Sequence, residues 1–270
     1  MSIKIIAIDL DGTLLNDKKE IGERTKKALI EASNKGVYIV LASGRPIKGM
    51  IPLIKELELD KRINYVINFN GAAINKTITF ESIYNCNLTK KEMLEIEEFA
   101  KKHNVHSHAF INGECYIEEN GEYSDIESNI NHIPLNLIKY EEIDDNSYIN
   151  KYMFADDPTK LKNIHPLLPS EFFEKYTVVF SAPFFLEFLN KKTNKGRALE
   201  YLCNYLNISP KEAMAIGDEE NDFSMLEFAG HKIAMENANV KLKKIATEIT
   251  TTNNDDGVGK IVEKLVLNKI

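Results

Sequence analysis

The feature that most constrains this chain is a recurring pair: a short apolar run with few polar interruptions, followed at once by acidic or small residues. Residues 3–8 run into Asp9, Leu10, Asp11, Gly12 and Thr13. Residues 37–42 run into Ser43, Gly44 and Arg45, and residues 213–216 run into Gly217, Asp218, Glu219, Glu220, Asn221 and Asp222. Runs this short and this apolar are expected to be strands buried on both faces of a parallel sheet. Residues 65–69 read as a further strand. Helical patterns over residues 22–35, ended by Gly36, and over residues 46–59 separate the first three. Strands alternating with helices predict right-handed βαβ units and an α/β fold, a doubly wound, mostly parallel sheet.

The alternation stops after Asn70-Gly71. Residues 73–80 read as strand-like, with a turn expected near Asn75-Lys76. Thr89 followed by Glu92 is a capping box, and the helix it opens carries Met93, Ile96 and Phe99 on one side. Between residues 105 and 189, short aromatic and aliphatic runs are broken by Asn, Asp, Gly and Pro, which suggests an α+β insert with antiparallel strands. Residues 182–188 are expected to be its last strand. The α/β pattern then returns, with helices over 195–206, 223–228 and 257–267 and a strand over 232–235. The expected organisation is an α/β core from residues 1–82 and 190–270, interrupted by an inserted domain over residues 83–189.

A length of 270 residues suits two domains better than one. The net charge of −7 argues against a duplex nucleic-acid partner, which needs cationic groups to neutralise phosphates. No apolar stretch approaches the roughly 20 residues that span a bilayer. The N-terminal apolar run is too short for a signal peptide. Cys86, Cys115 and Cys203 lie far apart, in neither a disulfide nor a zinc spacing, as expected of buried thiols in a reducing compartment. A cytoplasmic protein with neither membrane nor nucleic-acid partner is expected. His103, His106 and His108 lie close together, but no second ligand pair accompanies them, so structural or surface roles are expected.

Ligands of an open α/β sheet bind at the carboxyl ends of its strands, which is where the three clusters fall. Gly12 permits a turn that brings Asp9 and Asp11 together, and Asp218 adds a third carboxyl group. Two carboxylates about 4 Å apart repel by about 4 kcal/mol at an effective dielectric near 20. Such an all-oxygen cluster calls for a hard cation such as Mg²⁺. Ser43 and the backbone amides that open the next helix offer an anion cradle, and Lys195 could reach a phosphate as a point charge. Each cluster alone has a plainer explanation: turn and cap residues for Asp9, Asp11 and Ser43, a solvated surface for Lys195 and for residues 218–222.

Together, however, residues 9–15, residues 43–46, Asn194-Lys195-Gly196 and residues 217–222 resemble the four motifs of the haloacid dehalogenase superfamily of phosphatases. Asn70-Gly71-Ala72 and the long insert resemble its Cof-type branch, which carries a large α+β cap. Residues 181–189 followed by Asn194-Lys195-Gly196 are most similar to its sugar-phosphatase members. The resemblance implies a Mg²⁺-dependent phosphatase acting on small phosphorylated metabolites, sugar phosphates foremost, through an aspartyl-phosphate on Asp9. It implies Asp9 as nucleophile and Asp11 as general acid and base. Leu10 and Gly44 (through their amides), Ser43, Lys195 and Asn221 would bind phosphate. Asp9, Asp11 (by its carbonyl) and Asp218 would bind the metal, with Asp222 supporting them. Glu236 departs from the pattern, standing where the family usually has glycine, at a position expected to be peripheral. A phosphomutase, or a phospho-acceptor module like a receiver domain, are the competing readings. The first would yield isomerised product, and the second a long-lived aspartyl phosphate.

Overall fold

The computed structural model describes residues 2–268. Along the chain lie β1 (Ile5–Asp9), α1 (Glu23–Asn34), β2 (Tyr38–Ala42), α2 (Ile47–Glu56), β3 (Tyr65–Asn68), β4 (Ala73–Lys76) and β5 (Ser82–Asn85). Then come α3 (Lys90–Lys102), β6 (Ser107–Ile111), β7 (Glu114–Ile117), α4 (Ser124–Asn131), β8 (Leu135–Leu137) and β9 (Ile149–Ala155). They are followed by α5 (Pro158–Ile164), α6 (Ser170–Lys175), β10 (Tyr176–Ala182) and β11 (Phe185–Asn190). The chain closes with α7 (Lys195–Tyr205), β12 (Ala213–Gly217), α8 (Phe223–Phe228), β13 (His231–Ala234), α9 (Val240–Ile245), β14 (Glu248–Ile249) and α10 (Gly257–Leu265).

These elements fall into two compact units. The first comprises the described residues up to Gly44, Ile51–Tyr84, and those from Asn194 onward; the second comprises Arg45–Met50 and Asn85–Thr193. The fold is α/β, as the alternating pattern predicted.

The sheet of the first unit has the order β14-β13-β12-β1-β2-β3-β4-β5. Strands β14 through β3 run parallel, and β4 turns back antiparallel to β3. The strand order reverses at β1, which lies between β2 and β12. The chain leaves β1 to one side and returns on the other, opening a crevice at the carboxyl ends. Ile5, Ile6, Ala7 and Ile8 are all fully buried, which explains why β1 lacks any alternation of polar residues. Helices α1 and α10 pack closely because Gly259 has no side chain: a Cβ there would meet the backbone of Thr25 at 2.8 Å.

In the second unit the sheet order is β10-β11-β9-β6-β7-β8, antiparallel except for the β7–β8 pair. One face carries a core of Met93, Ile96, Tyr140, Tyr152, Phe154, Phe172 and Phe188. The expected capping box is present at the start of α3: Thr89 Oγ1 accepts from the amide of Glu92, and the Glu92 carboxylate accepts from the amide of Thr89.

Two local expectations are corrected. The chain remains strand through Lys76 and turns only afterwards, because Thr77 is tied down by its hydroxyl, which donates to the carbonyl of Leu59 at 2.6 Å. The last strand of the insert begins at Phe185, not residue 182. Pro183 interrupts ladder pairing, so residues 176–182 form a separate strand, β10, antiparallel to β11.

Candidate active site

The predicted clusters at the ends of β1 and β12 converge in the first unit. Asp9 is the last residue of β1, and Asp218 follows β12 directly. Carboxylate oxygens of Asp9, Asp218 and Asp222 all lie within 4.8 Å of one another, and all three residues are buried. Close approach depends on glycine. Gly12 has φ +84°, and a Cβ there would stand 2.3 Å from Asp218 Oδ2. A Cβ on Gly217 would stand 2.5 Å from that of Asp222.

Lys195 opens α7 and is wholly buried. Its ammonium donates to Asp222 Oδ1 at 2.6 Å and, in a very short contact, to Asp9 Oδ1. The other Asp222 oxygen accepts the amides of Asp218 at 3.0 Å and Glu219 at 3.1 Å. Asp222 is thus saturated by one cation and two backbone donors, a bracing role. Thr13, not singled out from sequence, donates its hydroxyl to Asp218 Oδ1 at 2.6 Å. Asn237, which the sequence reading gave no role, donates its side-chain amide to the Gly12 carbonyl at 2.8 Å and holds the turn after β1. Thr13 lies inside the first motif and Asn237 just after Glu236, but their partners lie more than 200 positions away, so the local pattern could not reveal their roles.

Asp11 is placed differently from the other acids. Its carboxylate is about half exposed and accepts from Lys19 Nζ at 2.8 Å. Ser43 is buried, its amide donating to the Ile67 carbonyl at 2.9 Å, so the turn after β2 is pinned to β3. Gly44 follows it. Asn221 lies across the crevice and donates its side-chain amide to Asn70 Oδ1 at 3.2 Å.

The charges are unbalanced: three carboxylates share one ammonium. Burial, reinforced by the neighbouring Asp222, pushes Asp9 up to about 8 despite the pull of Lys195. Burial likewise lifts Asp218 to about 6, with Asp222 and Glu219 adding to it and the Thr13 hydroxyl opposing. Burial alone would lower Lys195, but Asp222 and Asp9 outweigh it and hold the ammonium charged. A site that strains to protonate its own acids, and offers only oxygen donors, fits a divalent hard cation. Among the described residues this is the one His/Cys/Asp/Glu group arranged to hold a metal ion. The three histidines noted in the sequence go elsewhere. His103 lies on Phe99, His106 meets Asp156 at 3.1 Å, and His108 is buried in the second unit's sheet.

The carboxylate of Asp9 at the end of the central strand, the ammonium of Lys195 fixed on it and the neighbouring acid cluster form a compact charged site on an α/β sheet. The family profile described as haloacid dehalogenase-like hydrolase matches residues 6–262, and the chain belongs to that family. A Streptococcus pyogenes protein provisionally named a phosphatase is 42% identical over 270 residues, covering 99% of this chain and 100% of that one. A haloacid dehalogenase-like hydrolase from Bacteroides thetaiotaomicron matches with a TM-score of 0.88 at 32% identity, over 97% of this chain and 99% of that one. BT4131, described as a subclass IIB sugar phosphatase, matches with a TM-score of 0.79 at 25% identity, over 99% and 100%. The protein is a phosphatase of this family. Among the described residues, no helix is long and apolar enough to cross a membrane.

Proposed function

We propose that the protein hydrolyses phosphate monoesters of small hydroxylated metabolites, sugar phosphates foremost, through an aspartyl-phosphate on Asp9. The observation that carries this reading is the Asp9 carboxylate, at the end of the central strand, held by the buried ammonium of Lys195.

In the first step an Asp9 oxygen attacks phosphorus while the bond to the leaving oxygen breaks. The Asp11 carboxyl gives its proton to that oxygen, which makes a poor leaving group unaided. For this, Asp11 exchanges Lys19 for the leaving oxygen, a move its exposed position allows. In the second step water attacks the aspartyl-phosphate, Asp11 takes the water's proton, and the bond to Asp9 breaks to release phosphate. Ser43, the amides of Leu10 and Gly44, Lys195 and Asn221 hold the phosphoryl oxygens. Asp9, Asp218 and the carbonyl of Asp11 would hold Mg²⁺, with Asp222 supporting them. The cation supplies charge neutralisation to the phosphoryl group, where most of the catalysis of this chemistry lies. The inserted domain, residues 83–189, selects the organic part of the substrate, and the protein works in the cytoplasm on free small molecules.

The test is phosphate release from a panel of sugar phosphates, with Mg²⁺ or with chelator, by wild type and Asp9→Asn. Release that needs the metal and disappears in the variant is expected. Full activity in Asp9→Asn would remove the nucleophile from this scheme, and isomerised sugar phosphate in place of free phosphate would make the protein a mutase.

A further inference from the structure

We infer that Asn70 is a phosphate-binding residue of this site, donating its side-chain amide to the phosphoryl group from the turn that follows β3; the inference rests on the phosphatase reading above. Three observations meet at this side chain. The first is its backbone. Phe69, Asn70 and Gly71 all have positive φ, +48°, +55° and +106°. A buried phenylalanine in that region is costly, and backbone strain of this kind concentrates where a site needs an unusual chain path. The path is held by the Asn70 amide, which donates to the Ser43 carbonyl at 2.9 Å. It is also held by Gly71, where a Cβ would stand 2.3 Å from the Asn194 carbonyl oxygen, just ahead of Lys195.

The second observation is orientation. Asn70 Oδ1 accepts from Asn221 Nδ2 at 3.2 Å. With the oxygen committed to Asn221, the NH₂ end points the other way, toward the turn at Gly44. A Cβ on Gly44 would come 3.1 Å from that nitrogen. The third is its setting. Asn70 is half-buried, and its Nδ2 lies beside the backbone of Gly44, so a phosphoryl group in that cradle comes within its reach. With its own oxygen tied back, the amide N–H₂ is oriented to donate to such an anion. The phosphoryl oxygens are the acceptor this cradle takes. Asn70 also ties two separate segments together, those of Ser43 and Asn221, so it orders the cradle as well as contributing to it.

Two variants separate donation from simple structural support. Asn70→Asp keeps the oxygen that Asn221 needs and a side chain that tolerates left-handed backbone, but has no N–H. Asn70→Gly keeps the backbone path without a side chain. Substrate KM, kcat and the inhibition constant of inorganic phosphate are measured for both, with thermal melting to confirm folding. Loss of a hydrogen bond to a charged group predicts that KM and the phosphate inhibition constant rise roughly 10- to 100-fold in Asn70→Gly, and further in Asn70→Asp, where a carboxylate faces the anion. The change in kcat should be much smaller. Unchanged phosphate inhibition in a folded, active Asn70→Asp would overturn the inference while leaving the phosphatase reading intact. Absence of phosphate release and of phosphate inhibition in wild type would overturn both.

Discussion

Replacing Lys195 with methionine, a side chain of similar length and no charge, tests the site's central physical claim. The wholly buried ammonium lies 2.6 Å from Asp222 and closer still to Asp9. At about 3 Å and an effective dielectric near 20, each attraction is worth roughly 5 kcal/mol before desolvation is counted. What matters is the asymmetry. Removing one partner of a buried ion pair costs about 3–5 kcal/mol, because the other charge stays behind without compensation. Asp9 can escape by taking up a proton, since burial already pushes it up to about 8. Asp222 keeps its two amide donors, from Asp218 and Glu219, but loses its ammonium. Against a typical stability of about 5–15 kcal/mol this is a large fraction. In chelator, the first unit of Lys195→Met should melt about 10 °C lower, at two to four degrees per kcal/mol for a domain of this size. Adding Asp222→Asn to Lys195→Met should restore much of that loss, since the orphaned charge disappears with its partner. Phosphate release should fall by about a thousandfold in both variants, a loss typical of removing a charged group from a reacting centre. Urea or thermal melts with a double-variant cycle provide the assay. A double variant as unstable as the sum of the two singles would refute the reasoning, because the destabilisation would then come from packing and not from unpaired charge.

Two further outcomes follow from the same electrostatics. Asp218→Asn should raise the melting temperature in chelator by a few degrees, since burial and Asp222 already lift Asp218 to about 6, while the Mg²⁺ concentration needed for half-maximal activity rises tenfold or more; metal titrations and melts check both. In the second unit, His108 is fully buried, neither ring nitrogen finds a hydrogen-bond partner among the described residues, and burial lowers its pKa to about 3. The unfolded chain, with a pKa near 6.5, therefore binds more protons than the folded one between pH 6.5 and 3, so this group's contribution is present above pH 6.5 and lost as pH falls toward 3. His108→Leu should remove about 2 kcal/mol of the stability lost between pH 7 and pH 5, measured by urea unfolding at the two values; an unchanged pH dependence would refute it.

Much of the site was legible in the sequence because its residues sit beside strongly patterned elements. The unbroken apolar run of β1 marks a strand buried on both faces, and whatever follows such a strand in an open sheet lies at the ligand end. Asp9, Ser43 and Asp218 could be read that way. The Thr89 capping box and the turn at Gly36 are equally local. The insert was harder: its strands are short and their partners distant, so β10 emerged only once Pro183 was seen to split a run that composition joins.

What the sequence by itself determined is thus the α/β class, the main strands and helices of the core, and which residues stand at the carboxyl ends of β1, β2 and β12. Only the tertiary structure decided how those groups share charge. Lys195 meets Asp9 across 186 positions, Thr13 meets Asp218 across 205, and Asn70 meets Asn221 across 151. Asp11 turns its carboxylate outward to Lys19 while its near neighbour Asp9 is buried. The physical reason is range. Backbone preference and hydrophobic period act over a few residues and are written in the local sequence, whereas burial and ion pairing depend on which segments the parallel sheet brings side by side.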